Sequence, residues 1–223
     1  MLNYKNEYIN LVILGNFNPS ILTHDFLVKE CGLKFEKEPI ENTPRIPVVA
    51  SLEYDNINFL ADLGRFQITE KECTDPVNSN VPLYLKTYLD KLPFTPISKC
   101  GANFSYVIEI NEQKLRYLND ILSTDRNKII EMLKIKEASI DIGFIFEDKH
   151  EKINNFTIRT KVKENKATTL MKIQYQEVSN TIKTDFNYEI SGLEKDKELI
   201  KIITEKYPEV YKLFKKQIEL LFS

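Results

Sequence analysis

No apolar run in this 223-residue sequence approaches the roughly 20 residues that cross a bilayer, and the opening stretch, MLNYKNEYIN, lacks a hydrophobic signal-peptide core. A soluble, cytoplasmic protein with no membrane partner is the expectation. Histidine is scarce: there are only two, His24 and His150, and neither belongs to an HxxxH pair. The three cysteines, Cys31, Cys73 and Cys100, are widely spaced and form no CxxC. A zinc site would need ligands gathered from distant segments, and an odd cysteine count argues against a disulfide framework and fits a reducing compartment. Glycine is equally sparse, at six residues. GNFNPS, beginning at Gly15, lacks the repeated glycines and the lysine of a phosphate-binding loop, and no GxSxG is present. Charge of one sign is missing too, because 31 basic and 33 acidic side chains leave −2. That balance excludes the overall electrostatic footprint of a nucleic-acid binder and leaves room only for a local basic patch. No metal or cofactor is expected.

What is present is periodicity. Residues 9–14 form a short apolar run ending at Gly15, as a strand buried on both faces would. Asn18 or Ser20 then caps an expected helix with Pro19 in its first turn, carrying Ile21, Leu22, Phe26, Leu27, Cys31 and Leu33 and ending at Gly32. Three prolines mark 36–47 as a connecting loop. Beyond it the period becomes two over 48–54, 57–61 and 66–68, broken by turns at Asp55–Asn56 and Leu63–Gly64, so three antiparallel strands are expected. Asn80 is placed to cap a helix over 81–92, with Leu85, Tyr88, Leu89 and Leu92 along one side.

Pro93 and Pro96 end that helix, and a strand is expected from Gly101 to Ile110, with Ala102, Phe104, Tyr106 and Ile108 on one face. Helical patterns follow over 115–133, then four strands marked by Ile140 to Phe146, Phe156 to Val162, Met171 to Tyr175 and Ile182 to Ile190. The chain closes with two helical pieces split at Tyr207 and Pro208. The order in 1–93 thus returns in 94–223, giving an α+β fold of two strand, helix, antiparallel meander and helix halves. A degenerate duplication of the TATA-binding-protein-like or helix-grip type would have this order, although it is also a common α+β order.

GNFNP at 15–19, FQIT at 66–69 and LPFTPISKCGANF at 92–104 resemble landmarks of sporadically distributed, uncharacterised bacterial proteins. The resemblance spans mainly the first half and brings no catalytic motif. It implies a bacterial accessory protein from a mobile or defence-associated locus.

Candidate chemistry is thin. His24 and Cys31 fall on one expected helix face, but seven residues rise about 10 Å, too far for a direct hydrogen bond. Glu147 and Lys149, after Asp141, form the Glu-x-Lys pattern used by metal-dependent nucleases; a strand running into a charged turn explains it as well. The most usable surface is the polar sheet face of the second half. Arg159, Lys161 and Lys163 share one side of a strand, and Lys172 and Lys183 lie beside them if neighbouring strands pair in order. Asp141, Glu147, Asp185 and Glu189 share that face and cancel much of its charge. No aromatics are interleaved to stack bases. The expectation is a non-enzymatic binding or adaptor subunit of a bacterial multiprotein system with a protein partner. Nucleic-acid binding through the basic face is the first alternative, and a small ligand held between helix and sheet the second.

Overall fold

The period-two stretches at the start and middle of the chain become two long strands that pair with each other at the centre of one sheet. These are β1 (Tyr4–Gly15) and β6 (Ile97–Glu109), running antiparallel with Ile9 opposite Phe104 and Leu11 opposite Ala102. The computed structural model from which this is drawn describes residues 4–40, 45–109, 111, 113, 131, 141–146, 153–162, 167–176, 181–191 and 196–222. In the first half β2 (Arg45–Ile46), β3 (Val49–Tyr54), β4 (Ile57–Asp62) and β5 (Arg65–Lys71) form an antiparallel meander. In the second, β7 (Asp141–Phe146), β8 (Ile153–Val162), β9 (Ala167–Gln176) and β10 (Thr181–Ser191) do the same. The ten described strands join into one sheet in the order β2-β3-β4-β5-β1-β6-β10-β9-β8-β7.

Read outward from the β1–β6 seam, the two halves have the same order, with the last strand of each meander returning beside the first strand of its half. A duplication would produce this order, and so would two unrelated meanders joined along their first strands. The fold is α+β, with the boundary at residue 93 falling between α1 (Val81–Asp90) and β6.

One face of the sheet is the core. Ile9, Leu11 and Ile13 of β1, Phe66 and Ile68 of β5, Phe104, Tyr106 and Ile108 of β6, and Ile182, Phe186 and Ile190 of β10 are all buried there. The C-terminal helix α2 (Asp196–Phe222) lays Phe214 against Phe104, Tyr106 and Phe186 at centroid distances of 5.7, 5.2 and 5.0 Å. On the first half Tyr88 of α1 stacks on Phe66 at 4.0 Å. No described helix is long and apolar enough to cross a membrane.

Several expectations shift. The helix expected over 21–33 becomes a 3-10 turn at Pro19–Ile21 and a wider turn at Phe26–Glu30. Thr23 Oγ1 accepts from the Phe26 amide and restarts the chain locally, while the Cys31 amide donates to Phe26 five residues back. Gly32 does terminate the segment, at φ +68. Asn18 caps as expected, accepting from the Ser20 amide at 3.1 Å. Asn80 does not cap α1: its backbone is already helical, whereas Ser79 is extended and accepts from the Val81 amide through its hydroxyl.

The central strand begins at Ile97 and not at Gly101, because β1 continues pairing as far as Gly15 opposite Ile97. Gly101 is therefore inside a strand, where an added Cβ would lie 3.2 Å from the Tyr188 carbonyl oxygen. Helix α2 runs unbroken through Pro208. A proline inside a helix costs about 3 kcal/mol. The buried stripe of Leu199, Ile203, Tyr207, Val210, Phe214, Ile218 and Leu221 continues across it and offsets that loss. The helical patterns expected over 115–133 lie outside the described residues, apart from Glu131 in a helical turn.

Candidate binding face of the sheet

Period-two geometry sends alternate side chains of the central strands away from the helices, and their composition becomes largely polar, with Val12, Leu14 and Val107 as apolar members. On this open face Asn10 of β1 stands opposite both Asn103 of β6 and Thr69 of β5, and Asn103 stands opposite Asn187 of β10. The four side chains form one line across the sheet. Asn187 Nδ2 donates to Asn103 Oδ1 at 2.6 Å, Asn103 Nδ2 to Asn10 Oδ1 at 3.1 Å, and Asn10 Nδ2 to Thr69 Oγ1 at 2.9 Å. Gln67 joins the end, its Nε2 3.1 Å from the same hydroxyl. Each carboxamide has two N–H donors and an oxygen with two lone pairs, so the internal bonds use only part of its capacity; Asn10 is buried, and Asn103 and Asn187 are half-buried.

Ion pairs surround this amide line. Lys183 Nζ lies 2.6 Å from Glu7, Lys99 Nζ 3.2 Å from Glu189, Lys71 Nζ 2.5 Å from Glu53, and Arg65 Nε 3.1 Å from Asp62. Glu7 reaches this face through an irregularity in β1: the register shifts between Asn6 and Tyr8, so Glu7 is the extra residue. Ser105 Oγ sits between two carboxylates, 2.9 Å from Glu7 and 2.7 Å from Asp185, and Asp185 also accepts from the Tyr8 hydroxyl at 3.5 Å. Burial alone would raise the Glu7 pKa, but the Lys183 ammonium and the Ser105 hydroxyl outweigh it and hold the carboxyl below its ordinary value. Lys183 is raised in turn, chiefly by its bond to Glu7.

The expected site residues are found as follows. β8, β9 and β10 pair in order, with Thr157 opposite Lys172, Arg159 opposite Leu170, Lys161 opposite Thr168, and Lys183 opposite Gln174. Arg159, Lys161, Lys172 and Lys183 thus occupy the same phase of adjacent strands. Asp141 stands directly opposite Arg159 and Asp185 directly opposite Lys172. Lys172 is exposed, whereas Lys183 is half-buried beneath its pair with Glu7 and lies 5.9 Å over the Tyr8 ring. Lys163, Glu147, Lys149 and His150 fall outside the described residues.

Sequence reasoning missed Glu7 and the joined asparagines. Each asparagine has the polar phase of its strand, but nothing in the sequence aligns the three strands side by side.

Other candidate chemistry is not brought together. His24 Nδ1 meets the Tyr54 hydroxyl at 3.0 Å and Nε2 meets Glu38 at 3.1 Å, so its ring is not directed at Cys31. Burial pushes the thiols up, Cys31 to about 11 and Cys73 and Cys100 to about 12, which keeps them protonated and poor as nucleophiles. Among the described residues no three His, Cys, Asp or Glu side chains could share a metal ion. A cavity of about 450 Å³ opens on the helix side, where Tyr106 and Tyr211 join hydroxyls and the Lys5–Glu72 pair forms part of the wall.

The three landmark segments prove to be neighbours in space. The Asn16 amide donates to Pro96 at 3.0 Å, Ser98 Oγ to Leu14 at 3.3 Å, and the Phe17 ring lies 5.9 Å from Phe66. A Cβ on Gly15 would come within 2.3 Å of the Pro96 carbonyl oxygen, so only glycine allows this approach. These landmarks build one end of the sheet.

No family model matches the chain, and no curated protein does. Among solved structures it is similar to a rolling circle replication initiator protein from Geobacillus stearothermophilus, at 10% identity and a TM-score of 0.33, over 94% of this chain and 80% of that one. It is also similar to DynU16, a protein in the dynemicin biosynthetic locus, at 7% identity and a TM-score of 0.32, over 97% of this chain and 98% of that one. Both are loose likenesses of overall shape, and neither brings a function with it.

Proposed function

We propose that the chain is a non-enzymatic, cytoplasmic binding module of a bacterial multiprotein system, and that the open sheet face receives a protein partner. The observation that supports this reading is charge pairing. Arg65, Lys71, Lys99 and Lys183 each already hold a carboxylate on that face. A phosphate backbone would have to break those pairs to recruit the cations, losing much of the counterion-release gain that drives nucleic-acid binding. A protein surface can instead meet paired charges at the rim and exchange hydrogen bonds with the neutral amide line in the middle. Such interfaces are polar at the edge, and their specificity comes from matched donors and acceptors.

Two measurements test the reading. Fluorescence anisotropy with single- and double-stranded nucleic acid is expected to show weak binding by the wild type at physiological salt. The triple variant Arg159→Gln, Lys161→Gln, Lys163→Gln is expected to leave that result unchanged. Affinity capture from the native host is expected to recover a protein with wild type that is lost with Asn103→Arg, which places a long cation in the centre of the amide line. Tight, salt-sensitive nucleic-acid binding that the triple variant loses would overturn the proposal in favour of a nucleic-acid interface.

A further inference from the structure

Phe94 is 95% exposed, the most exposed of the large apolar side chains described. It does not sit on a loose loop. Pro93 and Pro96 bracket it, the Thr95 amide closes a turn onto the Leu92 carbonyl at 3.1 Å, and the Pro96 carbonyl accepts at 3.0 Å from the amide of Asn16, the residue after β1. The ring thus stands out from a turn whose backbone is braced, and little backbone freedom remains to be lost on docking. Rigid aromatic anchors of this kind dominate interface energetics.

The turn that carries Phe94 borders a groove between the end of α1 and the first turns of α2, with Pro93 and Thr95 in its lining. Leu89, Leu92, Pro93, Ile97, Ile200 and Thr204 line its floor and walls, and its volume is about 210 Å³. That is below the roughly 300 Å³ at which pockets for drug-sized ligands begin, and it suits a single side chain. Phe94, almost wholly exposed, does not fill its own groove.

We propose that this surface is an isologous interface: in a dimer, Phe94 of each copy enters the groove of the other. A twofold contact requires knob and hole side by side on one surface, and here the groove is built from Pro93 and Thr95, the residues on either side of Phe94. The rim supplies the charge argument. Each helix contributes one ion pair, Lys86–Asp90 at 2.6 Å on α1 and Lys201–Glu205 at 4.0 Å on α2. A partner of one sign would meet as many like charges as opposite ones. A second copy has the same alternation and can match it pair for pair. This surface is on the helix side and is independent of the open sheet face.

Sedimentation equilibrium on the full chain tests it. Wild type is expected to have twice the mass of one chain in the micromolar range. Phe94→Ser removes the knob, and Thr204→Arg fills the groove from a half-buried position on its wall, in a helix where arginine is a good former. Truncating an anchor weakens binding by about 30-fold per contact, and so on the order of a thousandfold for the symmetric pair. Both variants are therefore expected to be monomers, with circular dichroism and thermal midpoints confirming that they fold. Mixed together, they are expected to form a heterodimer, because the intact groove of one can take the intact Phe94 of the other. A monomeric wild type, a variant that still dimerises, or a mixture that stays monomeric would each overturn the proposal.

Discussion

The two faces of the central strands share a backbone and differ in almost everything else. Phe104 points into a cluster with Tyr207, Tyr211 and Phe214 at centroid distances of 5.5 to 5.7 Å. Its neighbour Asn103 points the other way, into a line of amides joined edge to edge. On the first face stability comes from apolar area removed from water. On the second, the partly exposed ion pairs exchange partners with water at small net gain, while the buried Asn10 and Ser105 have their hydrogen bonds met within the sheet. The contrast teaches that one strand can hold the fold together with its odd positions and carry a polar network with its even ones, or the reverse, as its neighbours require.

The largest expected effect is on the core side. Phe104→Ala should destabilise by about 3–5 kcal/mol, read as a fall in the denaturant midpoint at unchanged slope. A smaller loss would mean that the α2 contacts collapse onto the gap. Gly15→Ala comes next: its methyl would meet the Pro96 carbonyl, and separating β1 from the landmark turn should cost about 1–3 kcal/mol. Retained stability in that variant would show that the Pro96 turn gives way easily.

Asn103→Ala on the open face should cost about 1–3 kcal/mol, since it strands the donor of Asn187 and the acceptor of Asn10. If it were as damaging as Phe104→Ala, the amide line would be scaffold first and binding surface second.

The smallest effect belongs to the ion pairs. Glu7→Gln should cost no more than about 1 kcal/mol, because the pair with Lys183 is partly exposed and screened. Its pH dependence has a definite sign. Glu7 is lowered below its ordinary 4.5, so its contribution is present above that value and vanishes as pH falls through the folded one. Lys183 is raised above 10.5, so its share holds below that value and is lost as pH rises through the folded one. The gap between wild type and Glu7→Gln should therefore be full at neutral pH and close in acid. A gap that widened in acid would contradict the assigned pairing.

The alternation of Phe66 and Ile68, of Phe104, Tyr106 and Ile108, and of Ile182, Phe186 and Ile190 was enough by itself to determine an α+β chain with two meanders and to name most of its core. Period-two burial is a local property, and each strand carries it within its own residues. The amphipathic stripe of α2 was legible for the same reason, although Pro208 read as a break because local propensity cannot register the packing that overrides it. The sequence also placed Lys172 and Lys183 on a common face, conditional on strand order. Only the tertiary structure decided that order, and with it everything that depends on side-by-side placement. It set β1 against β6, lined up Asn10, Asn103 and Asn187, swung Glu7 out at a register shift to claim Lys183, and set the turn of Phe94 on the rim of the groove between α1 and α2. These are long-range pairings, between residues up to 177 positions apart in the case of Tyr8 and Asp185. No window along the chain contains both partners of such a contact; the closing of the sheet brings them together.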